Sequence, residues 1–189
     1  FEGVPKKQPA LELADKWILS RLAEVTKQYQ SYCDNYELAK ARKELEIFFK
    51  GELCDFYLEM AKHRLYGSNE KSKASAQFAL HKTLLAVLKM WAPILPHVTE
   101  EIFQTLYVTK STKSIHLTEF ESVQKVDKTA IKLGKLACEC ITLIRRWKQK
   151  KNLGLGKEVD KLTLSHPHAV DVKKIKELIA ATMRVKDLV

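Results

Sequence analysis

The stretch ELCDFYLEMAKHRLYG (52–67) concentrates the side chains best spaced for chemistry. Asp55, Glu59 and His63 recur every four residues, which puts two carboxylates and an imidazole on one face of a helix. Such a row can do general acid–base work, but it is also how a plain helix arranges stabilising charge pairs. The plain reading is preferred, because no nucleophile, base and orienting group accompany the row. His166 and His168 flank Pro167 with no third ligand at zinc-like spacing, and His81 sits beside apolar helix residues. GLGK (154–157) follows a helix and continues into Glu158, whereas a phosphate loop needs G-x-x-x-x-G-K-[ST] after a strand. KSTKS (110–114) reads as a solvated basic loop between helical elements. The chain is therefore expected to be non-catalytic, with no metal or cofactor of its own.

What remains is cationic. Lys and Arg number 33 against 23 Asp and Glu, a formal charge of +10, and a chain that basic points to a polyanionic partner, most commonly nucleic acid. The cations cluster beside planar side chains, as contact with phosphates and unstacked bases requires. Lys16, Trp17 and Arg21 begin the first helix; Arg42 and Lys43 lie on the second, and Lys62, His63 and Arg64 close it. Arg145, Arg146, Trp147, Lys148, Lys150 and Lys151 form the densest run. Each group has a structural alternative. Trp17 is expected in the core rather than as a stacking platform, and Lys62–Arg64 either touch RNA or complement the negative end of the helix dipole. Cys54 and Phe56 are expected to pack, and Asp55 to order a nearby Arg or Lys. The 145–151 run exceeds what solubility requires and is expected to contact phosphates.

The elements that must position these residues are mostly helical. With 46% apolar residues, 6 Gly and 5 Pro, long helices are favoured over turn-rich β structure. Residues 1–10 read as a linker. Ala14, Ile18, Leu22, Val25, Tyr29 and Tyr32 give a first helix from about Leu11. Asp34 and Glu37 resemble a capping box opening a second, which runs to Gly67 and passes Gly51, where a bend is expected. After a polar loop over 68–73, a third helix ends near Trp91, ahead of Pro93 and Pro96. A short helix starts at Pro96, and SIHLTEF (114–120) reads as extended. Composition shifts after about Gln124. A helix over 127–151, a turn over 152–156, a strand over 161–165, a helix over 170–183 and a final strand follow. The expected architecture is mainly α: an antiparallel helix bundle over 11–124, then a small α/β unit over 125–189.

Cys33, Cys54, Cys138 and Cys140 form no C-x-x-C pair, which argues against zinc and a disulfide framework and for a reducing, cytoplasmic setting. No apolar run has the length of a membrane span. The start at Phe1 rather than Met points to a mature fragment or excised domain.

Several motifs in order resemble one family. LADKWILSRLAEVTKQYQSYCDNYELAKARKELEIFF is similar to the D-[RK]-W-I-L-S-R-L … Y-[DE]-[FL]-x-K-A opening of the anticodon-binding helical domain of class I aminoacyl-tRNA synthetases for aliphatic amino acids. APILPHVTEEIFQTLY and SIHLTEF resemble that domain's A-P-x-x-P-x-[IV]-[ST]-E-E-[IL] helix and its S-I-H-L-x-x-[FW] closing segment. The match covers 11–120. Within the family, CDFYLE resembles the C-D-[WF]-Y-[IL]-E of the valyl branch more than the isoleucyl, leucyl or methionyl branches. IRRWKQKKNLGLGKEVDKLTL likewise resembles the region after the bundle in a subset of valyl enzymes. The long carboxyl-terminal coiled-coil arm of many such enzymes is not visible; an α/β unit stands in its place. The resemblance implies a monomeric parent that activates valine with ATP and Mg and charges valine tRNA. This piece would hold tRNA beside the catalytic and editing domains of the same chain. A helical domain whose basic face binds acidic protein is the alternative of another class.

Overall fold

The computed structural model describes residues 4–5, 7–109, 112–120 and 125–189. The first two residues of KSTKS, the segment 121–124 at the expected domain boundary, and residues 1–3 and 6 of the expected linker lie outside them.

Helix α1 (Leu13–Asp34) buries Ala14, Trp17, Ile18, Val25 and Tyr29 at spacings of three, one, seven and four, a stripe that points into the bundle. The chain reverses through Tyr36, which sits at φ 59°. A second long helix follows as α2 (Leu38–Ile47), a π-helical stretch (Phe48–Tyr57) and α3 (Leu58–Leu65). The irregularity expected at Gly51 thus takes the form of a widened helix, in which the Leu58 N–H reaches back five residues to the Leu53 carbonyl. The expected capping box at Asp34 and Glu37 is not formed. Asp34 is the last residue of α1, and Glu37 precedes α2 without a side-chain cap. Gly67 follows α3, where a Cβ would lie 2.7 Å from the His63 carbonyl oxygen.

Helix α4 (Glu70–Trp91) starts inside the expected polar loop, because the Asn69 side chain accepts from the Lys71 and Ser72 amides at 3.1 and 3.2 Å. Helix α5 (Pro96–Leu106) begins at its proline. SIHLTEF is not extended throughout: Ile115–Leu117 form a 3-10 turn, nucleated by the Ser114 hydroxyl accepting from the His116 amide at 3.2 Å.

Helix α6 (Lys128–Lys150) is capped by Asp127, whose carboxylate accepts from the Ala130 amide at 2.9 Å. Strand β1 (Val159–Leu162) pairs in parallel with β2 (Val185–Leu188) around helix α7 (Ala169–Met183), in the register Val159 to Val185 and Leu162 to Leu188. The strand begins two residues before the expected position, and the pairing continues to Leu164, whose amide donates to Val189 at 2.7 Å.

The fold is a helix bundle with a small α/β unit. Helix α1 packs against α2, α4 and α6, and α7 packs against both α6 and α3. One apolar cluster therefore runs from Trp17, Leu45 and Met60 through Ile141 and Ile144 to Ile179 and Leu188. Residues on both sides of the expected boundary at 124 contribute to it. A smaller cluster under α5 joins Leu88, Ala92, Phe103, Tyr107 and Ile115.

Candidate nucleic-acid interface

The cations named from the sequence divide into those the fold consumes and those it leaves at the surface. Arg64 is 4% exposed. Its two terminal nitrogens donate to the two carboxylate oxygens of Asp15 at 2.7 Å, and Asp15 is itself fully buried. The Tyr57 hydroxyl donates to the same carboxylate at 2.8 Å, and Ser75 completes the group with a short hydrogen bond. One charged cluster thus ties α1, the π-helical stretch, α3 and α4 together, and Arg64 is withdrawn from RNA contact. Burial, with the Asp15 carboxylate beside it, raises the Tyr57 hydroxyl well above its ordinary range.

Arg21 is engaged in the same way on the other side of α1. It donates through two nitrogens to Glu52 at 2.8 Å, and also pairs with Glu24. These hydrogen bonds, Glu52's first, raise its pKa further despite partial burial. Trp17, 1% exposed, lies in the core against α6. A Cβ at Gly134 would overlap its indole ring, so the close approach of α1 and α6 depends on a residue with no side chain. It is packing, not a stacking platform.

Lys148 is the least expected placement. It is fully buried inside the basic run, and its ammonium donates to three backbone carbonyls: Leu155 at 3.0 Å, Lys157 at 2.6 Å and Met183 at 2.8 Å. It fastens the turn after α6 to the carboxyl end of α7, where a cation also meets the helix dipole favourably. Burial, then the nearby Arg184, lowers its pKa below the usual lysine range. Arg145 is half-buried, stacks over Phe56 at 5.1 Å and donates to the Asp55 carbonyl at 2.8 Å. The backbone of Asp55, rather than its carboxylate, meets the arginine. Trp147 is half-buried, and so is Cys54, expected as a buried filler.

Lys16, Arg42, Lys43, Lys62, His63, Arg146, Lys150 and Lys151 stay exposed. Lys62 pairs with Glu59 at 2.5 Å, which replaces the Asp55–Glu59–His63 row as the main charge interaction on that face. Partial desolvation of its ring, then the neighbouring Arg64, lowers the His63 pKa and disfavours its charged form. Arg42 and Lys43 line a shallow groove of about 550 Å³ with Leu38, Ala39, Glu46 and Ile94. Tyr36, 91% exposed, stands at the start of this helix next to Leu38, itself 64% exposed. Cations and apolar side chains line this groove, and the exposed ring stands two residues ahead of Leu38 in the chain; an unstacked RNA loop requires these side-chain types. Tyr36 was not singled out from the sequence, although an aromatic in the turn CDNYE was the available signal. Lys128, Lys132 and Lys135, exposed on α6, do not stand out in the sequence either. They are spread through an amphipathic helix rather than adjacent, and only the helical period gathers them.

Residues 15–163 match the family model of the anticodon-binding domain of tRNA ligase, and the chain belongs to this family. Valine--tRNA ligases are among the curated relatives that align over most of this chain. That of Thermococcus kodakarensis is 37% identical over 94% of this chain, and that of Pyrococcus horikoshii is 35% identical over the whole of this chain. The chain spans 20% and 22% of these two relatives, and 22% of the valine--tRNA ligase of Pyrococcus furiosus, to which it is 33% identical. These likenesses support the valyl branch that CDFYLE indicated. Among the described residues, no helix is long and apolar enough to cross a membrane.

Proposed function

We propose that the chain is the anticodon-binding region of a valine--tRNA ligase and holds valine tRNA while other parts of a monomeric, cytoplasmic parent carry out the chemistry. In this reading the parent activates valine with ATP and magnesium and transfers it to the tRNA. Its catalytic and editing domains are then partners of this region within one chain. The observation that carries the reading is the family match over 15–163, which spans the groove that Arg42 and Lys43 line at the start of α2. The groove supplies cations for phosphates, and the exposed Tyr36 beside it supplies a ring for base stacking. Arg146, Lys150 and Lys151 add phosphate contacts from α6. Arg21, Arg64 and Lys148 hold the scaffold instead.

The test is a fluorescence-anisotropy titration of the chain with a valine tRNA transcript, and with the same transcript carrying a changed middle anticodon base. Tighter, salt-sensitive binding to the intact anticodon is expected. Equal, salt-insensitive binding to both, or none to either, would count against the reading.

A further inference from the structure

Helix α6 presents Lys128, Lys132, Lys135, Arg146 and Lys150 on one exposed face. At about 100° per residue these five positions fall within an arc of roughly 60°, and at about 1.5 Å per residue they extend over roughly 33 Å. Glu139 and the exposed Leu143 lie on the same stripe between them. The cations therefore form two groups, Lys128–Lys135 and Arg146–Lys150, separated by about 16 Å along the helix.

A solvated helix face often alternates its charges, and the second long helix does so in three places. Lys40 pairs with Glu37 at 2.6 Å, Lys50 with Glu46 at 2.6 Å and Lys62 with Glu59 at 2.5 Å. The α6 stripe differs. Lys132 is held by Asp171 at 2.7 Å, but among the described residues Lys128, Lys135, Arg146 and Lys150 have no carboxylate partner. Several cations left unpaired along a straight rod repel one another unless a polyanion covers them.

We infer that this stripe binds the phosphate backbone of a double-helical RNA stem. An anticodon loop is compact and offers splayed bases, whereas a straight row of cations with no aromatic ring suits a straight, regularly charged partner. Two cationic groups on either side of a gap without cations match two phosphate strands flanking the wide, shallow groove of A-form RNA. The inference rests on the tRNA-binding reading above and names the stem, rather than the loop, as the part this helix holds.

The experiment uses the full chain, a valine tRNA transcript, and a perfectly paired RNA hairpin of about 16 base pairs with no valine anticodon. Both are titrated at several salt concentrations against wild type, K128E/K135E/R146E and K173A/K176A, with circular dichroism to verify folding. K128Q/K135Q/R146Q replaces the reversed variant if that one is unfolded. Wild type should bind the hairpin. The stripe variant should lose roughly tenfold or more in affinity, and its salt dependence should become shallower by about 2 to 3 in log–log slope. K173A/K176A, which removes two exposed cations of α7, should bind the hairpin as wild type does. Unchanged hairpin and tRNA binding by the stripe variant would overturn the inference and leave the tRNA reading standing. So would wild type that binds tRNA but not the hairpin. Stripe-dependent hairpin binding without any preference for the intact anticodon would support the stripe and count against the anticodon reading. No binding to either RNA would overturn both.

Discussion

Asp15 and Arg64, on α1 and α3, form a two-pronged ion pair at 2.7 Å with both partners out of water. A buried pair of this kind adds little compared with a well-packed apolar pair, but half of it is costly, because the remaining charge is stranded. Its effect is to fix how α1, α3 and α4 meet, and so the angle at which α2 offers Arg42 and Lys43.

Arg64→Met is expected to destabilise the fold by about 3–5 kcal/mol, since it leaves Asp15 buried and charged. Urea denaturation measures it. Asp15→Leu added to Arg64→Met should recover part of the loss.

Gly134→Ala places a methyl group in the Trp17 ring and should cost about 1–3 kcal/mol by overpacking. The same substitution at Gly51, where nothing lies within 4 Å of an added Cβ, should be neutral or slightly stabilising, because alanine favours a helix. Thermal melts of the two variants separate these cases.

Asp171 accepts hydrogen bonds from Lys132 and Lys174 at 2.7 and 2.9 Å, and these hold its carboxyl down at about 2, against an ordinary 3.8. A carboxylate depressed on folding stabilises the fold above its unfolded pKa, and the contribution is lost as pH falls from 3.8 towards 2. A carboxyl-carbon NMR titration should find the midpoint near 2, and Lys132→Ala should move it up. Bound RNA that draws Lys132 away should move it in the same direction.

Cys138 is pushed up to about 12, chiefly by burial. At neutral pH it should react slowly with a thiol reagent, and unfolding in urea should restore ordinary reactivity. Mass-spectrometric counting of labelled cysteines over time checks this.

Helix positions were legible because period and punctuation agree, as at Pro96, Asp127 and Gly67. What was not legible depends on partners far away in sequence. Arg64 reads as a basic helix end until Asp15, 49 residues away, is seen to claim it. Lys148 is indistinguishable from its neighbours in RRWKQKKN, yet the inward face of α6 takes it into the core, where three carbonyls from two later segments replace water. The π-helical stretch is equally hidden, since widening a helix changes its hydrogen-bond ladder and not the general appearance of its apolar stripe. Excess positive charge beside aromatic side chains was legible in the sequence. Which of those charges stay at the surface is a property of packing.

In the proposed function, exposed cations of α2 and α6 meet tRNA, while buried ones hold the scaffold. Amine labelling of every lysine, read by mass spectrometry with and without valine tRNA, tests it most directly. Protection by tRNA is expected at Lys43, Lys128, Lys135, Lys150 and Lys151. No change is expected at Lys173 and Lys176 on α7, and no labelling of Lys148 in either sample. Equal labelling with and without tRNA, or protection confined to α7, would contradict it.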